Sequence, residues 1–467
     1  MDLGDDNERA ALRKHLGGLF TGRKVICGTG PLAGMTDWVR ILADAGARRP
    51  LLVTTARGAG PVPTEDEAHV VSLRSAHYPT MTEELRDHDR MVRRLPADLV
   101  AALDRYDPAG EALWWVDPFT SAEPIAGREV AGGRPSAWAA LEDKVSVGRV
   151  WDAVGQPQSP HRVVAVTDRA GLDAACAELD RGAGVVWVAD ARDGFNGGGE
   201  FTRWVATAEE RAAATAFFLP RCDRVRVMPF LEGVPCSIHG LVMPDGTTVF
   251  RPVELAILRS PDRRFVYGGQ GTGWDPPPHD REQMRALVRR TGEHLRTLVG
   301  YRGAFGIDGI LTTDGFRPTE LNARFAGGLA TLARGLDVDL FTLLQLNLSV
   351  GRDPGVGAAD LEAWALPQMD ARRTAQPKAV SNRRLVEESA EVGVSWDGDR
   401  LHRDEAGSLT LSLGPTAGGT FTRIRLGDAG LPPGSRIGPM NLALMAFLDE
   451  EYDAGFGPLT APPEVRQ

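Results

Sequence analysis

The stretch AFGIDGILTTDGFRPTELNARFAGG, residues 304–328, decides the fold of this 467-residue chain. Apolar and β-branched residues flank Asp314-Gly315, a dipeptide that is typical of hairpin turns. The pattern therefore predicts two antiparallel strands joined by a tight turn.

The turn decides which side chains meet across this hairpin. A three-residue loop over 313–315, ending in a left-handed glycine, predicts that Asp308 lies opposite Glu320 and Gly306 opposite Asn322. Opposed residues of an antiparallel pair share a face of the sheet, so the three oxygen-bearing side chains would cluster. A two-residue turn would instead place Asp308 and Glu320 on opposite faces.

Such a cluster has a chemical meaning. Two carboxylates that face each other repel unless a cation lies between them. Mg²⁺ is a hard cation that proteins hold through one or two carboxylates together with nucleotide phosphates. Asp308, Glu320 and Asn322 therefore predict a Mg²⁺ site, and the alternative is a surface hairpin whose charges are solvated.

The hairpin resembles the metal-binding hairpin of the ATP-grasp superfamily, in which a strand Asp is followed by Glu-x-Asn-x-Arg. The resemblance implies that Asp308, Glu320 and Asn322 ligate Mg²⁺ and that Arg324 makes a catalytic contact with phosphate. The order of further segments extends the resemblance over roughly residues 136–350.

Composition restricts the class of function. The net charge of -10 and the pI of about 5.5 argue against a partner that is a nucleic acid or an anionic membrane. The four cysteines are far apart and form no CxxC pair, so we expect free thiols in a reducing cytoplasm. The polar start MDLGDDNERA predicts no signal peptide, and no apolar run approaches the ~20 residues of a membrane span.

The length predicts three domains. Residues 1–135 show a strand, a Gly-rich turn, a helix and a second strand, which predicts a Rossmann-like α/β domain. The turn GTGPLAG could bind a dinucleotide, but no acidic residue follows the second strand, which favours a structural role. The resemblance implies that this is a pre-ATP-grasp domain.

Residues 136–370 are predicted to form the ATP-grasp domain. The segment LEDKVSVGRVWDAVG resembles its opening helix, which implies that Lys144 binds phosphate and assists catalysis; a solvated helix lysine is the alternative. Only four of the 53 basic residues are lysines, so each lysine is informative. A second phosphate-binding lysine is missing at the end of the next strand. The positions where it would stand hold Val188, Ala189 and Asp190.

A glycine-rich loop follows that strand. Its backbone N–H groups could approach phosphate oxygens closely and form a lid, and a flexible surface loop is the alternative. The predicted lid residues are Asn196, Gly197, Gly198 and Gly199.

The stretch RVMPFLEGVPCSIHGLV, residues 226–242, resembles the ATP-grasp linker strand that lies along the adenine. The resemblance implies a ribose contact for Glu232, and we expect His239 to be a satisfied sheet residue. The implied adenine contacts are Met228, Pro229, Phe230 and Leu231.

Two further features of this region are predicted to reach the reaction centre. Glu254, on a strand that follows a Pro-Asp-Gly turn, is expected near the point where substrate and phosphate meet, and we include it among the catalytic residues. The Gly-rich segment 259–274 predicts an active-site loop.

Residues 371–467 predict a small α+β domain with strands near 379–386, 408–413 and 420–426. Its Arg383, its Arg384 and the loop GPTAGGTFTR could close over a reaction intermediate. A plain structural cap is an equally good interpretation.

The resemblance implies an ATP-dependent carboxylate–amine ligase that uses ATP and Mg²⁺, passes through an acyl phosphate and releases ADP. No P-loop and no protein-kinase motif is present in the sequence. The alternatives are a ligase for another small carboxylate and amine, and a nucleotide-binding protein without catalysis.

Most of the chain looks similar to the pheganomycin-type peptide ligases, which join a guanidino acid to a peptide amine in natural-product biosynthesis. This implies a small carboxylate and a peptide amine as substrates, with Glu254 or Asp117 facing the guanidinium. Whether the protein is a monomer or a homodimer stays open.

Overall fold

The computed structural model describes residues 1–73, 78, 81–190, 199–416, 418–427 and 430–466. These residues form three β-sheets of five, eleven and four strands, with helices packed on them. The predicted combination of α/β and α+β architecture is confirmed.

The N-terminal sheet is parallel, with the order β3-β2-β1-β4-β5. Its strands are β1 Val25–Pro31, β2 Leu51–Ala56, β3 His69–Ser72, β4 Leu113–Trp115 and β5 Val130–Ala131. The accompanying helices are α1 Asp6–Gly17, α2 Thr36–Asp44, α3 Met81–Arg93 and α4 Ala97–Tyr106. The predicted unit of strand, helix and parallel strand is therefore present.

The GTGPLAG segment does not form a phosphate-binding turn. Strand β1 continues to Pro31, and a short 3₁₀ helix, Leu32–Met35, connects it to α2. Gly28 lies so close to Val53 on the neighbouring strand that a Cβ there would be 3.0 Å from the valine Cβ. The glycine therefore serves the close pairing of two strands, as the structural interpretation predicted.

A four-stranded antiparallel sheet, which we call the lid sheet, has the order β6-β9-β7-β8. Its strands are β6 Arg162–Ala165, β7 Val185–Ala189, β8 Thr202–Val205 and β9 Arg224–Pro229. The helices from this part of the chain are α5 Ser136–Ala139, α6 Gly148–Ala153, α7 Arg169–Leu179 and α8 Ala208–Phe218. The core of the lid sheet includes Trp187 and Phe218, which are fully buried.

The central sheet has eleven strands in the order β15-β14-β10-β12-β13-β16-β20-β19-β17-β18, with β11 paired to β10. Its first six strands are β10 Val234–Met243, β11 Gly246–Val249, β12 Val253–Arg259, β13 Phe265–Gly271, β14 Gly303–Thr312 and β15 Gly315–Asn322. Strand β13 occupies seven of the sixteen residues of the segment 259–274 that we predicted as an active-site loop, so the loop prediction is wrong over that part. Its last four residues are all buried, and a Cβ on Gly269 would be 2.0 Å from the Gln376 carbonyl oxygen, so the close approach of a neighbouring strand explains that glycine.

The C-terminal strands continue this sheet, because β13 pairs with β16. They are β16 Ala375–Ser381, β17 Ala390–Trp396, β18 Leu401–Arg403, β19 Leu409–Thr416 and β20 Gly419–Arg425. The remaining helices are α9 Pro278–Val299, α10 Gly327–Arg334, α11 Val338–Ser349, α12 Ala358–Ala371 and α13 Gly438–Tyr452. The domain boundaries at 135 and 370 stay predictions.

Helix α9 supports the hairpin from behind. It begins with Pro278 and ends at Gly300 in the left-handed conformation, as start and stop signals require. The buried side chains at Met284, Leu287 and Leu295 follow helical spacing and pack into the core beneath β10 and β14. Burial of each such side chain contributes about 1.5–3 kcal/mol, which holds the two strands in place. No helix in the described ranges is long and apolar enough to cross a bilayer.

Candidate active site

The hairpin of β14 and β15 brings the predicted oxygen cluster together by a different route from the one we expected. Thr312 pairs with Gly315, so the turn has two residues, and this part of the prediction is wrong. One extra residue, Thr319, then bulges between the pairs Gly309–Pro318 and Asp308–Glu320. The bulge moves the register by one residue, and Asp308 faces Glu320 as predicted.

The carboxylates and the amide meet on one face. Asn322 Nδ2 donates to Asp308 Oδ2 at 2.9 Å, and the Lys144 ammonium pairs with the Glu320 carboxylate. Burial, followed by the negative charge of Glu320, raises the pKa of Asp308 to about 6. Ser237 hydrogen-bonds to Asp308 and opposes that shift. The site therefore holds negative charge that a cation would stabilise.

Lys144 is not on a helix, which corrects the prediction. It lies between a 3₁₀ helix, Ala140–Glu142, and α6. Asp143 accepts hydrogen bonds from the N–H groups of Val145 at 2.7 Å and Ser146 at 3.0 Å. This turn directs the Lys144 side chain inwards, where only 4% of it is exposed.

Arg324 lies beside the cluster and is held from below. Its guanidinium pairs with Glu142, a buried carboxylate that also binds Arg134 at 2.6 Å. The guanidinium also stacks over the ring of Phe119, 4.8 Å from its centroid. Glu142 thus positions Arg324, and its place two residues before Lys144 was the only sequence hint of its importance.

A cavity of about 360 Å³ lies between the lid sheet and the central sheet. Val186, Val188 and Thr202 line it from the lid sheet, and Leu255 and Ile257 line it from the opposite side. The functional cluster lies at one end of this cavity. The residues that it contributes to the lining are Lys144, Asp308, Glu320, Asn322 and Arg324.

The segment that links the two sheets forms another part of the wall. Its lining residues are Met228, Pro229, Phe230 and Leu231. The Phe230 ring stacks on Trp204 of the lid sheet, with centroids 4.1 Å apart. Glu232 has an exposed side chain and accepts a hydrogen bond from Arg259, which lines the cavity, at 2.7 Å. The predicted ribose contact therefore lies at the rim.

Of the four predicted lid residues, the structure describes Gly199. Gly199 lines the cavity and has a left-handed backbone, whereas Asn196, Gly197 and Gly198 lie outside the described residues. Val188 occupies the wall where the missing second lysine would stand. That position offers a valine side chain in place of a cation.

Glu254 is separated from the cavity, which corrects its place in the catalytic set. Side chains alternate along β12, and Leu255 and Ile257 face the cavity, so Glu254 faces the other side. Its carboxylate binds Arg436 Nε at 2.8 Å and the Ile437 N–H at 2.8 Å. Glu254 thus fastens the start of α13 to the central sheet.

Asp117 and Arg383, which were predicted to contact the substrate or a reaction intermediate, bind other groups of the protein instead. Asp117 follows β4 and accepts a hydrogen bond from the Phe119 N–H at 2.7 Å, while burial raises its pKa to about 6. It is not part of the cavity lining among the described residues. Arg383 Nη1 donates to the Asp453 carbonyl at 2.6 Å, beyond the end of α13. This contact within the C-terminal segment supports the interpretation of residues 371–467 as a structural cap.

The sequence analysis missed Ser237 on strand β10 and expected His239 on the same strand only as a satisfied sheet residue. Ser237 pairs with Asp308 and His239 with Gly306, so both face the cavity. The Ser237 hydroxyl and His239 Nε2 are 3.1 Å apart, and burial lowers the pKa of His239 to about 3. The lowered pKa keeps the His239 imidazole neutral near pH 7. The alternation in CSIHG would have revealed both residues once the partner strand was known.

The donor set fits a hard divalent cation that also binds phosphate. Among the described residues there is no group of three His, Cys, Asp or Glu side chains that could hold a metal. Two carboxylates and an amide, flanked by Lys144 and Arg324, leave coordination positions for phosphate oxygens. This arrangement suits Mg²⁺ bound together with a nucleotide.

Comparisons with solved structures agree with this architecture. The biotin carboxylase domain of Hydrogenobacter thermophilus 2-oxoglutarate carboxylase matches with a TM-score of 0.56 and 14% identity, over 95% of this chain and 92% of that one. Phosphoribosylamine–glycine ligase of Thermotoga maritima matches with a TM-score of 0.53 and 15% identity, over 94% and 98%. Carboxyaminoimidazole ribonucleotide synthase of Aspergillus clavatus, complexed with ATP, matches with a TM-score of 0.52 and 12% identity, over 92% and 99%.

These structures have the ATP-grasp fold, and the chain shares that fold over nearly its whole length. No protein-family model matches the sequence, and no curated protein matches it. The likeness, at 12–15% identity, concerns the fold and leaves the substrates to be argued from the site.

Proposed function

We propose that the protein is an ATP-dependent, ADP-forming ligase that joins a carboxylate to an amine. The observation that carries this proposal is the meeting of Asp308, Glu320, Asn322, Lys144 and Arg324 at one end of a cavity between two sheets. The structures with the same fold include biotin carboxylase bound to MgADP and a synthase bound to ATP, which supports the same ligands here.

The nucleotide would lie along the cavity wall. Backbone groups of 228–231 would contact the adenine edge, and the apolar walls formed by Val186 and Ile257 would cover its faces. The phosphates would then reach the opposite cluster. Asp308, Glu320 and Asn322 would hold Mg²⁺, which, when bound, neutralises phosphate charge and orients the phosphate oxygens.

The reaction requires little covalent chemistry from the protein. A carboxylate oxygen of the donor attacks the γ-phosphorus of ATP, the bond to ADP breaks, and an acyl phosphate forms. The amine then attacks the acyl carbon, loses a proton and displaces inorganic phosphate. Lys144 and Arg324 would stabilise the negative charge of the phosphoryl group during transfer, and Glu142 would keep Arg324 in place.

The structure offers a clear variant to test this proposal. Glu320→Ala removes a carboxylate from the cluster, and we expect turnover to fall at least about 100-fold, since even outer-sphere changes at metal sites cost 10–100-fold. The assay is ADP and phosphate release with ATP, Mg²⁺ and pools of carboxylates and amines. Asp314→Asn, at the exposed turn of the same hairpin, is the matched control.

Each outcome of this assay has a meaning. Release that needs both a carboxylate and an amine supports the ligase, and release without an amine favours another ATP-grasp reaction. Full turnover by Glu320→Ala defeats the metal assignment. No release with any pool favours a nucleotide-binding protein without catalysis.

The narrower hypothesis, a peptide ligase with a guanidino-acid donor in antibiotic biosynthesis, is a proposal from the sequence resemblance. It needs a carboxylate near the donor side chain. Glu254 is committed to Arg436, so Asp117 is the remaining candidate of the two. A cytoplasmic location belongs to the same proposal.

A further inference from the structure

A group of cations lies on the central sheet outside the cluster described above. Lys378 on β16 pairs directly with Arg423 on β20, and opposed residues of an antiparallel pair share a face. Their neighbours Ala379 and Ile424 belong to the core that includes α13 residues. Lys378 and Arg423 therefore point to the other face of the sheet.

A third cation lies close to this pair. Arg334 is the last residue of α10. Burial lowers the pKa of Arg423, and the positive charge of Arg334 lowers it further. Burial also lowers the pKa of Lys378 to about 8. Like charges that lie together at a partly buried place destabilise the free protein, and groups with pKa values perturbed in this way cluster at functional sites.

These cations have no acidic and no hydrogen-bonding partner among the described side chains. Lys378, Arg334 and Arg423 form neither a side-chain hydrogen bond nor an ion pair there, and the buried Arg423 Nε has no acceptor. We call these three residues the basic triad.

The carboxylates near the basic triad lie beside other cations. Asp37 and Glu391 are the acids whose charge acts on Arg423. Asp37 lies 3.7 Å from Arg40, and Glu391 binds Arg425 at 2.7 Å. The basic triad therefore keeps positive charge that could attract an anion.

The basic triad is connected to the cavity. The Lys378 ammonium lies 4.8 Å from the centroid of the Tyr267 ring, and Tyr267 lines the cavity. The Tyr267 hydroxyl donates to Gln270, whose amide donates to the Gly327 carbonyl at 2.9 Å. Gly327 begins α10 at the cavity wall and Arg334 ends it, and eight helical residues span about 12 Å.

We infer that the basic triad binds a second anionic group, a carboxylate or a phosphate, of the substrate that reacts beside the nucleotide. This inference rests on the proposed function and names its substrate class: a dicarboxylate, or an amine that carries a carboxylate or a phosphate. The reacting group lies at the cavity, and the second anion lies at the basic triad beyond Tyr267.

The experiment uses the full chain with its nucleotide site filled. The protein is saturated with Mg²⁺ and the non-hydrolysable analogue AMP-PNP, and malonate or inorganic phosphate is then titrated by calorimetry. We expect saturable binding that Lys378→Gln and Arg423→Gln each weaken at least tenfold. Arg400→Gln is the matched control, because it also removes one guanidinium, which lies exposed before β18, binds Glu450 and is not among the charges that act on Arg423. Its affinity should stay within twofold of the wild type.

The two probes separate the two sources of charge. Tighter malonate binding indicates a substrate with a carboxylate, and tighter phosphate binding indicates a phosphorylated one; both support the inference. If AMP-PNP binds but the anions do not, or if Lys378→Gln binds them unchanged, the inference is overturned while the proposed function stands.

Failure of AMP-PNP binding counts against the proposed function instead. The anion titration then uses the nucleotide-free protein, where the same ranking of variants supports the basic triad and equal affinities overturn it. Arg334→Gln, at the exposed end of α10, replaces either sheet variant that does not fold. It should weaken anion binding as well, and unchanged affinity counts against the triad.

Discussion

Substitution of Lys144 by Met tests the electrostatics of the site without an activity assay. In the free protein the Lys144 ammonium pairs with Glu320, and the variant leaves Glu320 facing Asp308 without that cation. Removal of one partner from a buried ion pair costs about 3–5 kcal/mol. Since 25% of the Glu320 side chain is exposed, solvent relieves part of this cost, and we expect a loss of about 2–3 kcal/mol.

A double variant separates this charge effect from lost packing. Glu320→Gln removes the unpaired carboxylate, so Lys144→Met combined with Glu320→Gln should recover about 1–2 kcal/mol relative to the sum of the single losses. The measurement is unfolding in metal-free buffer, followed by thermal scans and urea titration. Lys14→Met, at an exposed lysine of α1, is the matched control and should change stability by less than about 0.5 kcal/mol.

Millimolar Mg²⁺ gives an independent check, because it should stabilise Lys144→Met more than the double variant. Losses that add within about 0.5 kcal/mol would show that Lys144 and Glu320 are not coupled, and would refute the reasoning.

Three further predictions follow from individual contacts. Glu254→Gln should destabilise the fold by about 1–3 kcal/mol through its bond to Arg436 and leave the nucleotide KM unchanged in steady-state assays; a tenfold fall in kcat would return Glu254 to the catalytic set. Gly328→Ala should cost about 1–3 kcal/mol in thermal unfolding, because the new Cβ would be 2.0 Å from His239 Nε2, and His239→Ala should relieve that cost; strictly additive losses would contradict the contact. Anion binding should weaken about tenfold per pH unit above about 8, where the lowered pKa of Lys378 lets the ammonium lose its proton, whereas Lys378→Arg should keep a flat calorimetric profile. The other groups that face Lys378 keep their charge state between pH 8 and 10. They are Tyr267, whose pKa burial raises, and the guanidinium groups of Arg334 and Arg423. Anion binding by the wild type that is unchanged up to pH 10 would contradict the role of Lys378.

The hairpin shows how far local sequence rules reach. The hairpin itself was predicted correctly because apolar alternation and the Asp-Gly dipeptide are local signals. The turn length was wrong because Asp-Gly suits both a two-residue and a three-residue turn, and the bulge at Thr319 has no sequence marker of its own. Two errors of one residue, in the turn and in the bulge, cancelled, so the predicted face was right for a reason that the sequence does not contain.

Glu254 shows where those rules stop. Period-2 alternation says that Glu254 and Leu255 face opposite sides of β12, but the side that holds the cavity depends on which sheet covers it. The lid sheet covers the face that carries Leu255, and its strand β7 lies about 70 residues earlier in the chain. The contact of Lys378 with Tyr267 depends in the same way on the pairing of β13 with β16, which no local pattern reports.

The most direct test of the account is a calorimetric titration of ADP into wild type, Glu320→Ala and Asp314→Asn, each with and without Mg²⁺. We expect Mg²⁺ to tighten ADP binding at least about tenfold in the wild type and in Asp314→Asn, and to have no effect in Glu320→Ala. Equal Mg²⁺ dependence in all three proteins would contradict the claim that the β14–β15 hairpin holds the metal beside the nucleotide.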